Sequence, residues 1–261
     1  MIFLKPAFPV LLAFASVFFI LLVQRRRRGP VVLATSLLCS GLVLSIFRGV
    51  LGGAVFEASA PSFLSGYPYL TLVFRADPLG VFFALITSLM WIPITVYTMG
   101  LVSENAISDE GRFYVFSSIA FGAGMGLGLA GNLFTFFVFY EILSISLYPL
   151  VIHSETDASG RAGRRYIFYS LFGGVLLFLS TLSAYQLGGD ITFSAVGVFN
   201  GTHPTLTLTI LFISFALGFA VKSAVMPFHG WLPQAMAAPI PANAVFVSVE
   251  AGVFGFARLV Y

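Results

Sequence analysis

Charged residues are scarce in this chain, and their scarcity excludes a soluble globular protein. Of its 261 residues, only 9% are charged and 59% are hydrophobic, and the mean hydropathy is +1.00. Soluble domains carry about a quarter charged residues. Because one membrane span needs about 20 apolar residues, this length accommodates several spans and no sizeable extramembrane domain. The composition therefore predicts an all-α integral membrane protein.

The sequence also lacks the patterns of soluble enzymes and of metal or nucleotide sites. The single cysteine, Cys39, permits no intrachain disulfide. The glycines from Gly122 to Gly128 have the small-xxx-small spacing of close helix packing, and they lack both the preceding strand and the spacing of a nucleotide-binding loop. No group of histidine, cysteine and carboxylate has metal-ligand spacing. The net charge of +3 is no nucleic-acid signal, because the basic residues sit in short loops. We therefore expect no cofactor, no metal and no nucleic-acid partner.

Uncharged runs divide the chain into about eight predicted membrane helices. Their predicted bounds are 7–23, 30–47, 78–102, 113 to a turn at Gly131-Asn132, that turn to 152, 166–187, 205 to a break after Met226, and 240–261. The segment from Gly49 to Ala76 is predicted as a loop over the outer surface. The pattern contains no linker that would separate a soluble domain.

Arginines are concentrated in alternate loops of this arrangement. With the N-terminus outside, the inner loops hold eight of the thirteen basic residues, namely Arg25 to Arg28, Arg112, Arg161, Arg164 and Arg165. This excess on one side is the positive-inside pattern. The run of four arginines follows the first helix, which is typical of a retained anchor and not of a signal peptide. The sequence thus predicts a multi-pass protein of the cell (inner) membrane with its N-terminus outside.

Glu141 is one of three ionisable residues inside the predicted membrane helices, where each is costly unless it is paired or hydrated. It shares one face of the fifth helix with Ser144 and Tyr148. A polar face on an apolar helix indicates a hydrated interior surface on an ion pathway. The alternative is a buried carboxylate that a basic partner holds permanently.

Lys222 lies near the end of the predicted seventh helix, five residues before Pro227. A proline removes a backbone hydrogen bond, and broken membrane helices occur where they line protein or water-filled cavities. A nearby carboxylate changes the proton affinity of a buried amine, so its movement is a switch for proton uptake and release. His229, in the broken segment, is a candidate proton relay. The alternative for Lys222 is a side chain that extends to the membrane surface.

Glu250 is the third ionisable residue, and it shares a face of the predicted eighth helix with Asn243. It either continues a polar path or forms an ion pair with Lys222 or Arg258. The residues leave both interpretations open.

The segment from Lys222 to Met236, followed by Pro239-Ile240-Pro241, resembles the signature of the antiporter-like membrane subunits of respiratory complex I, Mrp antiporters and membrane-bound hydrogenases. The shared features are a membrane lysine, Pro-Phe-His, Trp-Leu-Pro, an Ala-Met pair and Pro-x-Pro. Tyr140-Glu141 and the segment from Arg165 to Gly174 resemble the family's fifth and sixth helices. The resemblance covers the N-terminal half of such a subunit.

The resemblance implies a proton- or sodium-translocating subunit of a multi-subunit respiratory or Mrp-type complex. Residues 1–102 would form three peripheral helices, and residues 103–261 would form the first five-helix half-channel. In that half-channel Glu141 tunes the pKa of Lys222, Lys222 takes and releases the proton, and His229 and Glu250 extend the hydrated path. Pro227 would break the seventh helix. The ion, proton or sodium, stays open.

Two departures from the family pattern favour an alternative, a non-conducting structural membrane module that bridges active subunits. The inverted repeat with a second half-channel is absent from this sequence, so either a partner chain supplies it or full transport is lost. Glu250 stands where the family usually has a lysine or histidine, which inverts the local charge. Any redox chemistry would belong to partner subunits.

Overall fold

The chain folds as a bundle of long α-helices, as the sequence predicts. The computed structural model describes residues 2–60, 70–104, 107, 109–188, 190–194, 204–236 and 241–260. The α-helices are α1 (Phe8–Leu22), α2 (Arg28–Leu51), α3 (Pro78–Ser103), α4 (Glu110–Gly128), α5 (Leu133–Val151), α6 (Asp157–Gly188), α7 (Thr205–Lys222), α8 (Leu232–Ala235) and α9 (Pro241–Val260). Short 3-10 helices lie at Ile2–Ala7, Arg25–Arg27 and Phe228–Trp231. The all-α integral membrane fold is confirmed.

Among the described residues, six helical segments are long and apolar enough to cross a membrane: Lys5–Leu22, Arg25–Leu51, Pro78–Ser103, Leu133–Val151, Asp157–Gly188 and Thr205–Lys222. Helices α4 and α9 have comparable lengths of 19 and 20 residues. Helix α4 packs against α1, α3, α5 and α9. Because it lies inside the bundle, it needs less apolar surface than the outer helices, which expose large apolar side chains.

Side-chain caps fix where two of these helices begin. Asp77 precedes α3 and accepts a hydrogen bond from the Gly80 backbone N–H at 2.9 Å. Asn132 caps α5 in the same way and accepts from the Thr135 N–H at 2.7 Å. Short polar side chains satisfy the free N–H groups of a helix start in this manner. The second cap also confirms the predicted turn between the fourth and fifth helices.

One end of the bundle, here called the basic end, carries most of the arginines. Arg25 Nε lies 3.2 Å from Glu110 Oε1, and Arg112 Nη1 lies 2.6 Å from Glu155 Oε1. These contacts join the α1–α2 connection, the start of α4 and the α5–α6 connection. The first turns of α6 add Arg161, Arg164 and Arg165 at this end. The basic loops that were predicted on one side therefore do lie together.

The opposite end carries a small antiparallel sheet of β1 (Phe56–Ser59) and β2 (Val73–Ala76). Both strands lie in the segment Gly49–Ala76, which the sequence predicts as a loop, so the sheet was not foreseen. At the same end Arg258 of α9 donates hydrogen bonds to Asp77 at 3.0 and 2.5 Å. The Arg258 side chain is only 6% exposed. This ion pair ties α9 to the start of α3.

Three predicted helix bounds are wrong by four or more residues. Helix α2 ends at Leu51, four residues after the predicted end at Phe47. Helix α6 begins at Asp157, nine residues before the predicted start at Tyr166. The apolar run marks only the part of this helix that faces other helices or lipid, while its first turns are polar and basic. Helix α7 ends at Lys222, four residues before the predicted break after Met226. The predicted start of the last helix at Ile240 lies outside the described residues, and α9 is described from Pro241.

Candidate functional site

The candidate site centres on Lys222, the last residue of α7. Lys222 lies beside the middle of α5. Its side chain is buried, with 4% of the residue exposed. The Nζ atom donates a hydrogen bond to the Tyr140 carbonyl oxygen at 3.1 Å and another to Ser144 Oγ. It also lies 3.9 Å from the centroid of the Tyr140 ring, within cation–π range. Lys222 therefore binds α5 in the interior and does not extend to the membrane surface.

Glu141 lies at the same site but packs against α6. A methyl group added at Gly174 of α6 would lie 3.0 Å from Glu141 Cδ and 3.1 Å from Oε2. No ion pair within 4.0 Å joins Glu141 and Lys222 among the described residues. In the described part of the chain, Glu141 Oε1 is buried and has no hydrogen-bond partner. The two predicted residues are neighbours without a direct bond.

Helix α7 ends at Lys222, before Pro227, because backbone hydrogen bonds cap it there. Ala224 adopts a left-handed φ of 52°. Its N–H donates to the Val221 carbonyl at 3.2 Å, and the Val225 N–H donates to the Ala220 carbonyl at 3.0 Å. This pair of bonds is the Schellman motif that ends many helices. The break thus lies earlier than the predicted position, and Pro227 occupies the turn that follows it.

The broken segment folds back against the end of α7 and against α6. Trp231 Nε1 donates a hydrogen bond to the Val221 carbonyl at 2.8 Å, and its ring lies edge-on to Tyr166 at a centroid distance of 5.5 Å. The Tyr166 hydroxyl donates to the Ser144 carbonyl at 3.1 Å. Polar side chains of α6 and of the broken segment therefore bind backbone carbonyls next to the buried lysine, at Ser144 and Val221. Sequence reasoning overlooked Tyr166, although a tyrosine in an apolar helix is a signal for a buried polar contact.

His229 is not part of this cluster. It lies on the 3-10 helix of the broken segment, and its side chain is exposed. Within the described ranges, no hydrogen bond or ion pair links it to Lys222. The predicted relay role for His229 therefore has no direct contact to support it, and it stays a prediction.

Glu250 lies on α9 and faces α3. Its Oε1 accepts a hydrogen bond from the Thr87 hydroxyl at 3.3 Å, and its Oε2 is buried without a hydrogen-bond partner in the described part of the chain. Neither ion pair that the sequence left open for it is formed, because Arg258 binds Asp77 and Lys222 binds α5. Thr87, the residue that Glu250 does contact, carried no signal in the sequence.

Helix α9 reaches the site through its backbone at Gly252. A methyl group added there would lie 2.9 Å from the backbone carbon of Lys222 and closer still to Ser223. Glycine therefore lets α9 cross directly against the end of α7. Side chains at 241–245, among them the predicted partner Asn243, lie outside what the structure describes.

The site combines ionisable groups and hydroxyls inside an apolar helix bundle. Its groups are one buried amine, the half-buried carboxylates of Glu141 and Glu250 with one buried oxygen each, and several hydroxyls, all on helices that are otherwise apolar. In the part of the chain that the structure describes, no group of three or more His, Cys, Asp or Glu residues is arranged to hold a metal ion. Ionisable groups placed inside a membrane bundle characteristically mark ion pathways.

Comparison with known families gives the class of protein. Residues 130–261 match the family model described as NADH:quinone oxidoreductase/Mrp antiporter, TM. The matched range is slightly more than half of the chain and contains Glu141, Lys222 and Glu250. The chain therefore belongs to the NADH:quinone oxidoreductase/Mrp antiporter transmembrane family.

Proteins similar in sequence to this chain include an antiporter subunit and a hydrogenase component. The putative antiporter subunit mnhA2 of Staphylococcus haemolyticus is 30% identical over 237 residues, which cover 88% of this chain and 29% of the relative. Hydrogenase-4 component B of Escherichia coli is 29% identical over 200 residues, which cover 76% of this chain and 30% of the relative. The chain thus spans about three tenths of the length of these relatives.

Two solved structures share the fold. A chain of the Mrp complex from Dietzia sp. DQ12-45-1b superposes with a TM-score of 0.81 at 20% identity, over 97% of this chain and 28% of that one. A chain of the membrane-bound sulfane sulfur reductase, an archaeal respiratory membrane complex, gives a TM-score of 0.79 at 20% identity, over 98% and 51%. At this identity the likeness establishes the helical arrangement alone.

Proposed function

We propose that this chain is a proton- or sodium-translocating subunit of a multi-subunit respiratory or Mrp-type membrane complex. Glu141 and Lys222 are the working pair of a hydrated half-channel. The observation that carries the proposal is the buried Lys222 amine at a broken helix end, near the half-buried Glu141 carboxylate, one oxygen of which is buried and unpartnered among the described residues. Groups of this kind are costly inside a membrane unless they serve a pathway. The names of the relatives, an antiporter subunit and a hydrogenase component, support it.

Lys222 is the group that takes and releases the proton in this mechanism. As an ammonium it has three donors and no acceptor, and it donates to Tyr140 and to Ser144 Oγ. As a neutral amine it gains a lone pair and becomes an acceptor. The Ser144 hydroxyl, which also donates to the Tyr140 carbonyl at 2.9 Å, accepts from the charged amine and can rotate to donate to the neutral one. Ser144 therefore serves both protonation states.

Glu141 controls how strongly the site holds the ammonium form. Opposite charges attract with an energy of about 332/(εr) kcal/mol, so an approach from about 8 Å to about 4 Å at an effective ε of about 20 is worth about 2 kcal/mol. This energy corresponds to roughly a 30-fold change in proton binding. A movement of the carboxylate by about 4 Å toward or away from Lys222 is therefore enough to change the proton binding of Lys222 about 30-fold.

The predicted domains, membrane orientation, further path residues and partners belong to the same proposal. Residues 1–102 are the peripheral helices and residues 103–261 the half-channel. The basic end faces the cytoplasm, which puts the N-terminus outside the cell (inner) membrane. Glu250, across from Thr87, extends the polar path toward α3, and His229 extends it from the broken segment. Other membrane subunits of the complex carry any redox reaction.

A non-conducting structural module is the second candidate, and one observation favours it. Lys222 makes two hydrogen bonds and a cation–π contact to α5. A lysine bound in this way would also serve as a permanent tie between α5 and α7. In that case neither its charge nor that of Glu141 would matter to ion movement, and only the packing would.

Ion pumping by the assembled complex in sealed vesicles separates the two candidates. We expect Lys222→Ala to abolish pumping and Glu141→Gln to reduce it at least tenfold, with equal assembly on native gels. Lys5→Ala is the matched control, because Lys5 is the chain's other lysine, is exposed and lies 5.5 Å from the Phe56 ring. Parallel measurements with a pH-sensitive dye and with labelled sodium identify the ion. Normal pumping by both site variants would establish the structural module instead.

A further inference from the structure

A cavity of about 620 Å³ lies at the basic end, between α6 and the broken segment. Its wall is formed by Arg161, Arg164, Arg165 and Phe168 of α6 and by Gln234 of α8. Its size is within the range of small-molecule sites, about 300–1,000 Å³. None of these residues belongs to the cluster around Lys222, so the proposed ion path does not account for the cavity.

The cavity carries an excess of positive charge. Its three arginines are exposed, and none of them forms an ion pair among the residues that the structure describes. Glu155, which precedes α6, is engaged by Arg112 at 2.6 Å and does not neutralise them. A guanidinium group presents paired N–H donors that match the oxygens of a phosphate. The charge and the donor geometry therefore fit a phosphate group.

The position of the cavity along α6 corresponds to the membrane surface. Helix α6 has 32 residues, which is about 48 Å at 1.5 Å per residue, whereas the hydrocarbon layer is about 30 Å thick. The excess length must lie in the headgroup region, and the basic first turns are the part that suits it. The arginines of the cavity are therefore placed at the depth of lipid phosphates.

An apolar strip continues from the cavity along the same face of α6. The spacing i, i+3, i+4, i+7 that relates Arg161, Arg164, Arg165 and Phe168 repeats in Phe168, Leu171, Phe172 and Val175. Phe168 is 70% exposed, and the next three residues of the strip are 45–58% exposed. A molecule with a phosphate at one end and long apolar chains at the other would cover both the basic and the apolar part.

We propose that this cavity binds the headgroup of an anionic phospholipid. The phosphate contacts Arg161, Arg164 and Arg165, the Gln234 amide contacts the polar headgroup, and the acyl chains lie along the strip that begins at Phe168. A free phosphate ion would contact the arginines and leave the strip uncovered. An acidic protein segment would also contact the arginines but would not cover the apolar strip inside the membrane. Continuity of the basic cavity with the apolar strip is what favours the lipid. This inference is independent of ion translocation.

Lipid titration of the purified membrane complex in detergent tests the proposal. Binding of phosphatidylglycerol and of phosphatidylcholine is followed by native mass spectrometry, and inorganic phosphate is titrated separately. The test variant is Arg161→Gln/Arg165→Gln, which removes two charges one helical turn apart. The matched control is Arg26→Gln/Arg27→Gln, which removes two exposed charges from the other basic run at the same end. Glutamine keeps helix propensity close to that of arginine, so folding is preserved.

We expect the wild-type complex to retain phosphatidylglycerol in preference to phosphatidylcholine. Each arginine near an anionic lipid contributes roughly a fivefold factor, so the test variant should bind phosphatidylglycerol about 30-fold more weakly while the control retains wild-type binding at this site. The proposal is overturned by equal retention in the two variants, by equal binding of both lipids, or by displacement of the lipid by millimolar inorganic phosphate. Cross-links from this cavity to an acidic protein segment would also overturn it.

Discussion

The carboxylate of Glu141 owes its position to the absence of a side chain at residue 174. Gly174 lies on α6 opposite the carboxylate, and the two groups touch with no intervening atom. Gly174→Ala adds one methyl group at this contact and removes no polar group. It is therefore a test of where the carboxylate must be, and not of whether it is present.

The displacement caused by this methyl group can be worked out from the contact distances. The added carbon would lie 3.0 Å from Glu141 Cδ and 3.1 Å from Oε2, whereas carbon atoms in comfortable contact are about 3.5–4.0 Å apart. The carboxylate must therefore retreat by about 0.5 Å or more, or α5 and α6 must separate. Forcing an extra methyl group into a packed interior costs about 1–3 kcal/mol. We expect a lower thermal midpoint and a shift in the pH dependence of pumping.

The assay compares Gly174→Ala with Gly100→Ala in sealed vesicles and in thermal unfolding of the solubilised complex. Gly100 is the matched control, because it also lies inside a helix and a methyl group there meets no atom within 4 Å. The control should pump as wild type and be slightly more stable, since alanine favours helix over glycine by about 1 kcal/mol. Gly174→Ala should pump at least tenfold more slowly over part of the pH range.

The Glu141→Ala background tests whether the added methyl group acts through the carboxylate. In Glu141→Ala the carboxylate is gone, so adding Gly174→Ala should then cost little further stability, and the two changes should not be additive. If Gly174→Ala pumps like wild type at every pH while Glu141→Gln does not, the position of the carboxylate beside α6 is irrelevant to transport. If the two changes are additive, the methyl group acts through helix packing and the reasoning is refuted.

Three further predictions concern the framework of the site, each measured as thermal stability of the solubilised complex against wild type. Ala224→Gly should raise the stability by about 1 kcal/mol, because glycine adopts the left-handed conformation without the strain that alanine carries; a decrease would show that φ at this position is not the limiting factor. Trp231→Phe should lower it by about 1 kcal/mol through loss of the bond to the Val221 carbonyl, and unchanged stability would mean that water replaces the indole. Asp77→Asn keeps the cap of α3 but leaves the buried Arg258 without its counter-charge, so it should lower the stability by about 3 kcal/mol. A decrease of less than about 0.5 kcal/mol would show that this ion pair does not stabilise the fold.

The sequence predicted the helices well and their polar extensions poorly. Apolar runs report the part of a helix that faces lipid or other helices, so the bounds of α3 were predicted to within one residue. Helix α6 was predicted too short because its basic first turns carry no apolar signal. The strands β1 and β2 pair over the bundle end, and pairing partners that far apart in the chain leave no mark on local periodicity.

At the site, the sequence identified the residues with unusual chemistry and not those that position them. Glu141 and Lys222 were singled out because charged residues are rare in membrane helices, and the family resemblance implied that they are coupled. Their actual contacts, Ser144 Oγ, the Tyr140 carbonyl and the backbone of Gly174, are a small hydroxyl, a main-chain oxygen and a missing side chain. Such groups are common in any apolar helix, and only the three-dimensional arrangement distinguishes them.

The end of α7 is another case in which the residue that the sequence singles out is not the residue that determines the structure. The position of this helix end also matters for the proposed mechanism. Pro227 drew attention because it cannot donate a hydrogen bond, yet the helix ends at Lys222 through the left-handed Ala224. Helix C-termini carry partial negative charge, and the Schellman bonds and Trp231 use the carbonyls of Ala220 and Val221. With those two carbonyls occupied, the lysine turns to α5, and its charge is balanced by Tyr140, Ser144 and the more distant Glu141. The proposed coupling between Glu141 and Lys222 predicts that a variant in which α7 extends through residue 224 pumps more slowly in sealed vesicles, even with both charges in place.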